Sequence, residues 1–143
     1  MKRTFSKMFG IAMLFACSQC FLACHKSNDD TPNPVNTPAS GKWKVAYFWD
    51  KKDETSHFAN YTFNFASNGT ITATNSQQTY TGTWTMGFDD SKNKFLINFT
   101  GNAPDDFTEL NEDWLIVEMT DKSMHFEHTS GGNGDTDILK FTK

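Results

Sequence analysis

From Trp43 onward, large apolar residues recur at every second position, in one short run after another. Trp43, Val45, Tyr47 and Trp49 form the first set, and Tyr61, Phe63 and Phe65 the second. Ile71 and Ala73 follow, then Tyr80, Gly82, Trp84 and Met86, then Phe95, Ile97 and Phe99. Leu115, Val117 and Met119, then Met124, Phe126 and His128, then Leu139 and Phe141 complete the series. A period of two puts successive side chains on opposite faces of a strand, whereas a helix would need a spacing of three and four. Threonines and other polar residues fill the alternate positions, so each strand has one buried and one solvated face. The pattern predicts an all-β domain over residues 41–143, with about eight short antiparallel strands. Short connections then favour a sandwich or a small up-and-down barrel, and closure would remove exposed strand edges.

The breaks between runs support this reading. Asn68-Gly69 is a hairpin turn signal, because both residues accept positive φ. Residues 120–123 form a second tight turn. The longest connection, 101–113, contains Pro104-Asp105-Asp106. This order suits one helical turn, with Pro at its start and acids near its positive end.

The N-terminal segment is of a different kind. Lys2, Arg3 and Lys7 precede a mostly apolar stretch from Met8 to Ala23, and no acid occurs before Asp29. This is the order of a secretory signal, and the apolar stretch is too short and interrupted for a permanent span. Phe21-Leu22-Ala23-Cys24 resembles the lipobox of bacterial lipoproteins, with Leu14-Phe15-Ala16-Cys17 as a rival box. The residues after Cys24 favour the first. His25-Lys26-Ser27-Asn28-Asp29-Asp30 resembles the Lys/Asp-rich export tag of surface lipoproteins in Bacteroidetes. The resemblance implies lipidation at Cys24, an export tag carried by Lys26, Asp29 and Asp30, and attachment to the outer membrane on its cell-surface or periplasmic side. Residues 1–23 are then a signal peptide. Residues 24–40, with Pro32, Pro34 and Pro38, are an anchor and flexible tether with too few apolar residues to fold.

Loss of the signal changes the charge. Of 13 basic residues three go with it, so 10 remain against 17 acidic ones, a net −7. A surface this acidic does not suit the phosphate backbone of nucleic acid. All three cysteines, Cys17, Cys20 and Cys24, precede the β region. The domain therefore has no disulfide and must be held by core packing and hydrogen bonding.

Gly41-Lys42-Trp43 at the first strand is similar to the Gly-x-Trp start of lipocalins and other calycins. "YTFNFASNGTITAT", "YTGTWTM" and "DWLIVEMTDKSMHFEH" resemble the small lipocalin-like domains of Bacteroidetes lipoproteins. The resemblance implies a lipocalin-like barrel with Trp43 as the plug of its closed end. It also implies a basic residue of the last strand stacked on that ring. Lys140 is the candidate, although its parity opposes that of Leu139 and Phe141. A pocket for a small apolar or aromatic ligand follows from the same likeness. Its lining would come from Tyr47, Trp49, Tyr61, Tyr80 and Trp84, with tyrosine hydroxyls as orienting groups at the open end.

Catalytic chemistry is not written in the chain. His125 and Glu127 share a strand face, and His57 lies far away in sequence, which is short of a converging metal set. Asp105, Asp106, Glu109, Glu112 and Asp113 lack the spacing of a calcium loop. The glycine-rich stretch 130–137 has no following helix to cradle phosphate. No catalytic set, metal or cofactor is expected, which leaves two non-enzymatic readings. In one, a hollow barrel binds a small apolar molecule. In the other, a filled barrel serves as an interaction or structural module at the cell surface, its protein partner unspecified by the sequence, with Phe88, Phe107 and Trp114 exposed on its loops.

Overall fold

The computed structural model describes residues 37–38, 40–129 and 134–143, all within one compact unit. Cys24, the rival Cys17 and the Lys26, Asp29 and Asp30 tag lie outside the described residues. The fold is all-β. Its strands are β1 (Lys44–Asp50), β2 (Lys52–Asp53), β3 (Thr62–Phe65), β4 (Thr70–Thr74), β5 (Thr79–Asp89), β6 (Lys92–Phe99), β7 (Asp113–Met119), β8 (Ser123–Thr129) and β9 (Thr136–Thr142). They form one antiparallel sheet in the order β2-β1-β9-β8-β7-β6-β5-β4-β3. From β3 to β9 each strand pairs with its successor, and β9 returns to β1, which is up-and-down topology. The two-residue β2 is an added edge on the end of β1. The sheet does not close along its length. Its edges meet at one pair, Trp43 with Phe63, which exchange two backbone hydrogen bonds of 2.8 Å.

The alternation in the sequence becomes alternation of burial. On β6, Phe95, Ile97 and Phe99 are buried while Leu96 and Asn98 are exposed. On β5, Gly82 and Trp84 are buried while Thr79, Thr81, Thr83 and Thr85 face water. Gly82 is the inward residue where β5 and β6 approach most closely. A Cβ there would lie 2.4 Å from the carbonyl oxygen of Asn98, so no other residue fits.

Two bulges correct the simple parity. The register of β1 against β9 shifts between Val45 and Tyr47. The extra residue turns Phe48 inward to full burial and leaves Tyr47 and Trp49 half-buried on the other face. The same device between Ile116 and Glu118 keeps Met119 inward and exposes Val117. A bulge puts two residues opposite one and so reverses the face of all that follow.

The turns are also redistributed. At Asn68-Gly69 only Gly69 has positive φ, at 84°, and its N–H donates to Ala66 at 3.0 Å. The turn with positive φ at both central residues is Asp90-Ser91, with 48° and 61°, joining β5 to β6. The expected helical turn is present as α1 (Asp105–Thr108), with Pro104 before it and Asp105 and Asp106 in its first turn. A second, unforeseen 3-10 turn spans Thr55–Phe58.

Antiparallel connectivity sorts the loops to two ends. One end, the base, has Gly41, Lys143 and the hairpins after β3, β5 and β7. The other, the mouth, has the 3-10 turn, the β4–β5 turn, α1 and the β8–β9 connection. At the base Trp43 is fully buried, and the Lys143 ammonium lies 4.8 Å from its ring centroid. The same ammonium donates to the Ser40 carbonyl at 2.9 Å. Lys143 therefore covers the tryptophan, whereas Lys140 faces outward between Tyr47 and His125. Gly41 has a φ of +134°, which a side chain rarely tolerates, and a Cβ there would press on Lys143 at 3.3 Å. Pro38, three residues before Gly41, is already buried.

Candidate functional site: the mouth of the barrel

The interior is filled with rings. Phe95 and Phe126 stack at 4.8 Å, and Phe65 packs edge-on against Phe95 at 5.7 Å and Phe141 at 5.4 Å. Phe63 meets Phe141 at 5.3 Å and Phe99 at 6.4 Å. These separations are those of rings in direct contact. The mouth is closed by two side chains carried on the helical turns. Phe58 hangs from the 3-10 turn and Phe107 from α1, with their centroids 5.3 Å apart. Both are essentially inaccessible to solvent.

Tyr61 and Tyr80 lie at this end. Their rings are 6.0 Å apart, and Phe107 lies 4.9 Å from Tyr61 and 5.2 Å from Tyr80. Phe107 thus sits where an aromatic guest would sit. Burial, with Tyr80 and Asp106 nearby, pushes the Tyr61 phenol above its usual range. The Tyr80 hydroxyl donates to Gln78 Oε1. Tyr47 and Trp49 are not brought to the interior, for the reason given by the bulge. Trp84 is buried in the wall, and its indole N–H donates to the Ala66 carbonyl at 2.9 Å. It also lines a cleft of about 400 Å³ at the base, beside Phe65, Asn64, Ser67 and Pro38.

The expected loop surface is corrected as well. Phe107 and Trp114 are buried, the latter donating its indole N–H to the Leu110 carbonyl at 3.0 Å. A loop aromatic that can drop into an open mouth gains burial of its whole ring, so hydrophobicity wins over loop position. Phe88 alone of the three stays exposed, at 54%, joined by Leu96 and Val117. These large exposed apolar side chains lie on β5, β6 and β7, which are neighbours in the sheet.

Around the mouth the titratable groups gather in two sets that residue spacing did not suggest. In the first, Glu54 precedes the 3-10 turn and is only 5% exposed. Its Oε1 accepts from the Lys52 ammonium at 2.9 Å, and that bond holds the carboxyl below its usual range. Glu109, after α1, is pushed up by burial and by Glu54 beside it. Its Oε2 is shielded from solvent and has no hydrogen-bond partner. His57 Nδ1 lies 3.1 Å from Asp106 Oδ1 and ties the 3-10 turn to α1.

In the second set His128 Nε2 is 3.5 Å from both Glu112 and Asp113, and Nδ1 is 3.7 Å from buried Asp137. Glu112, Asp113 and His128 offer ligand-type atoms within 4.8 Å of one another, the residue types that can hold a divalent cation. His125 Nε2 and Glu127 Oε1 pair at 3.4 Å on the outer face, away from His57.

No family model matches the chain, and no curated protein matches it. A crystal structure of a DUF4847 family protein from Bacteroides vulgatus is similar at 20% identity, covering 73% of this chain and 92% of that one with a TM-score of 0.49.

Proposed function

We propose that this protein is a lipid-anchored, non-catalytic module of the outer membrane that acts through its outer surface. The observation that carries this reading is the filled interior, closed over by Phe58 and Phe107. A carrier of small apolar molecules needs a cavity that buries most of its ligand. Here the aromatic side chains take that volume themselves. The working surface is then the exposed part of β5–β7, with Leu96 and Val117 on the outside of the sheet and Phe88 at the end of β5, beyond its buried stretch. Large apolar residues left exposed in this way can serve as contacts for other macromolecules.

A photo-crosslinking residue placed at 88 or 117 tests this on intact cells. A discrete crosslinked product is expected from both positions. Position 81, on the threonine face of β5, should give none. Saturable one-site binding of an apolar dye to the folded protein, with a raised melting temperature and no crosslink, would instead support a ligand carrier, because only native-state binding raises that temperature.

A further inference from the structure

The mouth is closed by two single turns, and each is too short to hold itself in water. What ties them together is a set of charged side chains. Glu54 stands just before the 3-10 turn and Glu109 just after α1, and a carboxylate oxygen of each lies within 4.8 Å of the other and of a His57 ring nitrogen. His57 and Asp106 join the turns themselves at 3.1 Å. We propose that the Glu54–Glu109 and His57–Asp106 pairs form a proton-dependent latch that holds Phe58 and Phe107 over the barrel interior.

The Glu54–Glu109 link responds to protons, and the His57–Asp106 pair stands beside it. Glu109 with its proton can donate to Glu54; without it, two carboxylates face each other away from water. Asp50 on β1 and Asp106 on α1 add negative charge around Glu109, and the positive groups facing the cluster are Lys52 on β2 and His57 on the 3-10 turn. Lys52 is 74% exposed at its side chain, so its screened charge compensates weakly. The Glu109 Oε2 has no hydrogen bond to soften the loss.

The sign follows from the directions of the shifts. Glu109 lies above the usual carboxylate range, so its contribution is complete below that range and is lost as pH rises through its raised value. Glu54 lies below the range, so its contribution is present above it and is lost only as pH falls through its lowered value. The latch is firmest between the two, with Glu54 ionised and Glu109 protonated. It loosens toward higher pH. Gly101, with a φ of +80° and open space about it, offers a hinge for the loop that carries α1. Asn111 pins the other side of the loop, its side chain bonded to the Phe99 N–H at 2.6 Å and the Phe99 carbonyl at 2.8 Å.

The chain supplies its own reporters, since it has three tyrosines. Two of them, Tyr61 and Tyr80, touch Phe107 and the third, Tyr47, lies on the outer face of β1. Fluorine NMR of the full-length chain in detergent, labelled with 3-fluorotyrosine, should be followed from the ordinary carboxylate pKa of about 4.3 up to about pH 7. The Tyr61 and Tyr80 resonances are expected to move together through one transition that Tyr47 does not follow. Glu109→Gln keeps the hydrogen bond and cannot ionise, so it should abolish the transition. Glu54→Gln removes the opposing charge and should abolish it too. A transition that persists in both variants, or no transition in the native chain, overturns the latch.

Discussion

Trp43 and Phe107 are the single residues on which most of this fold turns, because each closes one end of the barrel. Trp43 is fully buried beneath Lys143 and forms the one pair that joins the sheet edges. Trp43→Ala is expected to lower stability by about 3–5 kcal/mol, read from the denaturant midpoint, as loss of a buried large ring does. Phe107 is the more informative truncation. It touches Phe58, Tyr61, Phe63, Tyr80 and Phe99. Phe107→Ala should cost about 3–5 kcal/mol and leave an apolar void at the mouth. Such voids stay dry and admit small aromatics, so benzene or indole should raise the melting temperature of this variant and leave the native chain unchanged.

Among the elements, the β5–β6 hairpin is held in an unfavourable backbone conformation. Asp90 and Ser91 both adopt left-handed φ without being glycine. That conformation costs an L-residue roughly 1–2 kcal/mol. Ser91→Gly should therefore raise the unfolding free energy by about 1 kcal/mol, with no change in the denaturant slope. The hairpin also shows why local signals mislead. Asn68-Gly69 has the residues of a two-residue turn, yet the β3–β4 connection uses a turn from Ala66 with only Gly69 left-handed. Asp90-Ser91 has weaker residues and takes the two-residue form. Register across β5 and β6, fixed by inward Trp84, Met86 and Phe95, leaves only two residues to span the gap. Sheet pairing thus outweighs a turn preference of similar size.

For the whole molecule, the absence of cysteine after Cys24 and the lipobox resemblance bear on one another. The β domain has no cysteine and needs no oxidising compartment to fold, so any role for the cysteines belongs to residues 17–24. Cys24→Ser is expected to abolish incorporation of a clickable fatty acid in growing cells, while Cys17→Ser leaves it intact. The reverse result would assign the anchor to Cys17. The cleft beside Trp84 and Pro38 lies at the base, where the chain enters the domain, and the acidic mouth lies at the opposite end.

The sequence by itself determined the all-β class, the eight principal strands and the identity of most of the core, while the two-residue β2 was added by the structure. Period-two alternation is a local property, readable wherever one face is buried. Trp43, Phe63, Phe65, Trp84, Phe95, Phe126 and Phe141 were legible as inward for that reason. Only the tertiary structure decided what alternation cannot encode. The bulges in β1 and β7 reversed the faces of Tyr47, Trp49 and Val117, because an inserted residue is compensated by a partner strand distant in sequence. The burial of Phe107 and Trp114 depended on an opening made by other strands. The meeting of Glu54 with Glu109 joins residues 55 positions apart. Such groups become neighbours only when the sheet curls and sets the 3-10 turn beside α1, and burial there, rather than any motif, gives them their chemistry.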